Sequence, residues 1–160
     1  MRQSQSVRSI VLVGVVGPLA GAACDTHGGH SHEREKMLLV DIGSHHGALT
    51  AHLAKAGNEL DIFFETGGDS PQPVAIPAAS FTATATTAAG ATHELVFEPA
   101  PASERPAGEN PGTCSHFVAR APWLKPNEEI QVTAKVKLES GEATATWKKF
   151  LPSNYAHHVE

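Results

Sequence analysis

The run from Ile130 to Trp147 constrains the fold more than any other stretch of this chain. Ile130, Val132, Ala134, Val136 and Leu138 alternate with Gln131, Thr133, Lys135 and Lys137. Glu139-Ser140-Gly141-Glu142 turns the chain, and Ala143, Ala145 and Trp147 then alternate with Thr144, Thr146 and Lys148. A period of two sends successive side chains to opposite faces of a strand. The pattern therefore predicts a hairpin with one apolar face and one solvated face. A lone hairpin is marginal in water, so more sheet must cover that apolar face.

Earlier segments supply it. Met37-Leu38-Leu39-Val40-Asp41-Ile42 is a short apolar run ended by Gly43, and Ser44-His45-His46-Gly47 reads as a turn. Leu49, Ala51 and Leu53 alternate with Thr50, His52 and Ala54, a spacing that a short helix also fits. After Ala56-Gly57-Asn58, Leu60, Ile62 and Phe64 alternate with Asp61, Phe63 and Glu65, so a second hairpin is expected about Gly57-Asn58. Val74 to Thr87 is rich in Ala and Thr and predicts a strand with a thin inner face. His93 to Phe97 is another short strand. Pro99 to Gly112 carries four prolines and two glycines and reads as an exposed loop. Cys114 to Ala119 leads to Trp123-Leu124, an expected core anchor.

About seven short strands with no convincing amphipathic helix predict an all-β domain over residues 37–152. The expected architecture is an immunoglobulin-like two-sheet β-sandwich, with an open barrel as the alternative. Residues 153–160 are polar and read as a flexible tail.

The chain ahead of the domain has a different character. Arg2 and Arg8 precede an apolar run from Ile10, which Gly17-Pro18 interrupts before Ala20-Gly21-Ala22-Ala23. That order marks residues 1–23 as a secretory signal, since the run is too short and too broken to span a membrane. Gly21-Ala22-Ala23-Cys24 resembles a bacterial lipobox, which makes Cys24 the acylated first residue of a membrane-anchored envelope protein facing the periplasm. Ala20-Gly21-Ala22 also fits ordinary small-x-small cleavage, which leaves Cys24 unmodified. The choice sets the state of Cys114, the only other cysteine: a lone thiol in the first case, a possible disulfide partner of Cys24 in the second. Residues 24–36 form a tether, because Gly28, Gly29, Ser31 and Glu33-Arg34-Glu35-Lys36 show no apolar period.

Removal of residues 1–23 leaves 137 of 160 residues, enough for one ordinary core. Ten Lys and Arg then face 17 Asp and Glu, a net charge of −7 with neutral histidines. No basic stripe exists to neutralise phosphates, so nucleic acid is not an expected partner. All 10 histidines lie after residue 23. Imidazole is a common ligand of Zn, Cu and Ni, and these are the expected cofactors if any is bound. The candidate ligands are His27, His30 and His32 on the tether, His45, His46 and His52 in the first hairpins, and the pair Cys114-x-His116. Two residues two apart in a strand share a face, so Cys114 and His116 are expected to reach one ion. His46 and His52 are expected on one surface, and His157-His158 form a further group. No H-E-x-x-H, G-x-S-x-G or phosphate loop is present, so no enzymatic activity is expected.

His45-His46-Gly47-Ala48-Leu49, Glu59-Leu60-Asp61-Ile62-Phe63-Phe64, the run Phe117 to Pro126 and the closing hairpin resemble small exported bacterial β-sandwich proteins and lipoproteins with a His-Gly segment. The likeness covers residues 44–158, with Ala48 where a second glycine often stands in those proteins. Such proteins keep company with heavy-metal efflux systems. The resemblance implies metal handling in the envelope beside an efflux component.

Overall fold

The computed structural model describes residues 36–77 and 79–159, and of residues 157–159 it describes the backbone. The expected signal, Cys24 and the candidate ligands His27, His30 and His32 of the expected tether lie outside the described residues. The domain is all-β, with no helix of seven residues or more among the described residues.

Eleven strands are present among those residues: β1 Leu38–Ile42, β2 His45–Leu53, β3 Glu59–Glu65, β4 Ile76–Pro77, β5 Phe81–Thr87, β6 Thr92–Pro99, β7 Thr113–Cys114, β8 His116–Arg120, β9 Ile130–Leu138, β10 Gly141–Phe150 and β11 Ala156–Val159. Nine of them form one large sheet in the order β1-β2-β3-β8-β6-β5-β9-β10, with β11 added to β2. β4 and β7 make a small second sheet. β6 carries the path round the core: residues of its first part pair with β5, while Glu98 and Pro99 pair with β8.

The closing hairpin is as the alternation predicts. Leu138 pairs with Gly141, and Ile130, Val132, Ala134, Val136, Leu138, Ala145 and Trp147 are all buried. Phe150 is also buried, three residues after Trp147, where strict alternation would turn it outward. A bulge between Trp147 and Phe150, with Lys149 at φ 55, supplies the extra residue that brings Phe150 back inside. The thin face of β5 is equally plain, with Ala83 and Ala85 buried against Ala134 and Val132 of β9. Phe81 stacks on Phe97 at 5.2 Å and meets Phe64 edge-on at 6.3 Å, filling the space that the small residues leave.

Three expectations are corrected, and one choice between two readings is decided. The first turn is Gly43-Ser44, not Ser44 to Gly47: Ile42 pairs directly with His45, and Gly43 takes φ 61. His45, His46 and Gly47 are therefore strand residues. Second, the run around Leu49 is a strand and not a helix. β1, β3 and β11 all pair with β2, which buries Ala48 to Ala51 without a break. Third, Trp123 is half-buried at the edge of the core and stacks on His93 at 4.0 Å. Its turn hangs from Asn58, which accepts from the Ala121 N–H at 2.8 Å and donates to the Leu124 carbonyl at 2.8 Å. Fourth, the residues expected as a tail enter the sheet. A 3-10 turn at Pro152–Asn154 leads to β11, parallel to β2. The Tyr155 carbonyl accepts from the Ala51 N–H and the Thr50 hydroxyl, and the Tyr155 ring stacks on Phe150 at 5.0 Å.

Candidate functional site

Strand parity sorts the histidines of β2 before any side-chain contact is considered. His45 and His46 are neighbours in a strand, so they face opposite sides of the sheet. His46 shares its face with Ala48, Thr50 and His52. Opposite them on β3 stand Glu65, Phe63, Asp61 and Glu59, and beyond Phe63 on β8 stands His116. One face of β2, β3 and β8 thus gathers three histidines and three acids.

Their spacing keeps them apart. His46 and His52 are on one face as expected, yet six residues of strand put them about 20 Å apart. Ala48 and Thr50 between them are fully buried. The two histidines do not share an ion.

His46 lies in a row with Asp41 of β1 and Glu65 of β3. Its Nε2 is 3.2 Å from Asp41 Oδ1, and Asp41 is highly exposed. Its Nδ1 is buried without a hydrogen-bond partner. His45 Nε2 lies 3.5 Å from the Ser44 hydroxyl. His52 is half-exposed and directly opposite Glu59.

Cys114 and His116 do not form a pair of ligands. Ser115 breaks the strand between them, because its N–H and hydroxyl both donate to Glu109 Oε1. β7 ends at Cys114, β8 begins at His116, and the parity argument fails at that break. Cys114 is fully buried in the core, and its thiol donates to the His116 carbonyl at 2.8 Å. Burial pushes the thiol pKa up, which disfavours the thiolate that a soft metal or a nucleophilic reaction requires. Among the described residues the thiol is free.

His116 sits on the other side of the sheet from that thiol. Its Nε2 is 2.8 Å from Asp61 Oδ1 and its Nδ1 is 3.2 Å from the Glu104 carbonyl. Phe63 stacks on the ring at 4.1 Å. Both ring nitrogens face acceptors, so neither lone pair points to an open position. The contact between His116 and Glu104 fastens the proline-rich loop onto β8. Strand parity puts Asp61 outward, but nothing local in the sequence signals a partner 55 residues away.

Among the described residues, no group of three or more His, Cys, Asp and Glu is placed to hold a metal ion. A hollow of about 190 Å³ lies elsewhere, on the solvated face of β5, β6 and β9. Thr82, Ala83, Thr84, Glu94, Thr133 and Lys135 line it. No family model, curated protein or solved structure matches this chain.

Proposed function

We propose that this chain is an exported lipoprotein of the bacterial envelope, held to the membrane through Cys24, that binds or buffers a transition metal beside an efflux component. Its domain is read as a β-sandwich of immunoglobulin-like type, since the sheet folds both of its halves over one core. The metal is Zn, Cu or Ni, held by imidazoles and not by the thiol of Cys114.

One observation carries this reading. The half-exposed imidazoles of β2 stand beside carboxylates, His46 between Asp41 and Glu65 and His52 opposite Glu59. Carboxylates beside an imidazole orient the ring and raise its basicity as a ligand. They also concentrate cations on a chain whose residues 24–160 carry a net charge of −7.

The test is metal content and calorimetry on full-length protein purified in detergent without a histidine tag. Binding should be tight at pH 7 and weaken steeply toward pH 5, because imidazoles with pKa near 6.5 must lose a proton to bind. Affinity no better than about 100 μM, worth only about 5.5 kcal/mol, rejects the metal role. It would favour a lipid-anchored interaction module in which the histidines are incidental.

A further inference from the structure

The loop from Pro99 to Gly112 lies against β8 as a strap that buries little of itself. Between Pro101 and Gly108 every residue is exposed except the half-buried Arg105. Polar contacts hold the strap at both ends. The Ala100 N–H donates to the His116 carbonyl at 2.9 Å, and Glu109 Oε1 accepts from the Ser115 N–H and hydroxyl. At its middle, the Glu104 carbonyl lies 3.2 Å from His116 Nδ1.

These contacts fix a proton count. A carbonyl oxygen only accepts, so Nδ1 must carry a hydrogen to bond it. Nε2 is 2.8 Å from Asp61 Oδ1, and an ionised carboxylate also only accepts. A neutral imidazole has one N–H and cannot serve both. With both bonds made, the His116–Asp61 pair holds one proton more than a neutral ring beside a carboxylate. Imidazole is ordinarily the more basic of the two groups, so the ring carries that proton. The two side chains are only 6% and 14% accessible, and Phe63 stacks on the ring at 4.1 Å, so water does not readily replace either acceptor. The charged groups on that face and in the strap are Asp61 and Glu65 of β3, Glu98 of β6, Arg120 of β8, and Glu104, Arg105 and Glu109, with His46 and His52 one strand further on β2. Carboxylates outnumber guanidiniums among them, which compensates a second ring proton.

We propose that this loop is a proton-operated strap, closed over β8 while the His116–Asp61 pair holds the extra proton and released when the pair loses it. A ring left with one N–H keeps it for the carboxylate, the stronger acceptor, and turns the Nδ1 lone pair on the Glu104 carbonyl. The closed state binds more protons, so closure is favoured at lower pH and lost as pH rises. Release bares the Phe63–His116 stack, and pH thereby sets the surface that this part of the domain presents. The strap uses none of the β2 imidazoles and stands apart from the metal-holding reading.

The experiment is hydrogen exchange across residues 100–112 of the full-length chain, in detergent with a metal chelator present. It runs from about pH 5 to about pH 9, a range that brackets imidazole titration, and is corrected for the exchange of unstructured peptide. Nitrogen NMR follows the His116 ring in parallel. Beyond the release point, protection of the strap should fall by about tenfold per pH unit, the slope for one proton. The signature of two protonated ring nitrogens should disappear with the same midpoint. D61N keeps an acceptor but not the charge, and should move that midpoint to lower pH. H116Q should leave strap protection independent of pH, and D61N carries the test where H116Q does not fold. A single protonated nitrogen on His116 while the strap is protected overturns the proposal. Strap protection that does not change with pH overturns it too, as does an unmoved midpoint in D61N, because a merely structural pair alters protection equally at every pH.

Discussion

The indole of Trp147 on β10 donates its Nε1–H to the carbonyl of Gly47 on β2, at 3.0 Å across the buried core. The two residues are 100 positions apart. The contact exists because Gly47 has no side chain. A Cβ there would lie 2.5 Å from Ile42 Cδ1 and 2.9 Å from the Trp147 ring. Gly47→Ala should therefore force Ile42 and Trp147 apart and destabilise the domain by about 1–3 kcal/mol. Urea unfolding followed by tryptophan fluorescence measures it, and an unchanged midpoint would show that this close approach is not needed.

The two tryptophans should respond differently to truncation. Trp147 is fully buried, and Trp147→Ala should cost about 3–5 kcal/mol. Trp123 is half-buried at the core edge, and Trp123→Ala should cost less than half as much. Chemical denaturation of the two variants, followed by circular dichroism, gives the comparison directly.

Asp61 and His116 form a pair with little exposure, their side chains 14% and 6% accessible. Removal of one partner strands the other inside. Asp61→Ala should cost about 3 kcal/mol, and Asp61→Asn should recover part of that because its amide oxygen still accepts from Nε2. Proteolysis in the loop from Pro99 to Gly112 should quicken in both variants, since the His116 contact to Glu104 depends on the ring's position. Equal stability of all three proteins would refute the role given to the pair.

The Cys114 thiol has a pKa raised above its ordinary 9.0 by burial. Below that value the folded and unfolded thiols are both protonated, and the group adds no pH dependence. Above it the unfolded chain releases the proton while the folded chain keeps it, so stability falls as pH rises. Cys114→Ser should flatten the alkaline limb of the stability profile. In the native state the thiol should be inert to alkylation at pH 8 and react fully in denaturant.

The proposed anchor is tested at Cys24. Wild-type protein from bacterial membranes should start at Cys24, carry acyl mass and partition into detergent. Cys24→Ser should give a soluble product or an uncut precursor. Mass spectrometry distinguishes these outcomes, and a mature chain that retains Met1 would refute export by this signal.

The strands were legible wherever alternation was uninterrupted. Ile130 to Leu138 and Leu60 to Phe64 declare their inner faces residue by residue, because the pleat reverses at every step. Reading failed where one residue broke the period without a compositional sign. Gly43 and Gly47 are both plausible turn glycines. One takes the positive φ of the turn, and the other gives way to the Trp147 indole. Ser115 resembles any strand residue, yet its two bonds to Glu109 divide β7 from β8 and send Cys114 and His116 to different environments. Lys149 sits in the left-handed region near the end of an apparently regular strand.

The amino-acid sequence by itself determined the class of the protein: an all-β domain, its thin Ala-lined strand and its principal hairpin. These follow from backbone geometry between near neighbours. Tertiary structure alone decided which histidines are neighbours. His46 and His52, six residues apart, stand about 20 Å from each other along one strand. His52 and His157-His158, more than a hundred residues apart, lie on adjacent strands. Partner choice between strands is set by how the whole core closes, with Tyr155 packed on Phe150 and Trp147 over Gly47, and no local period carries that information.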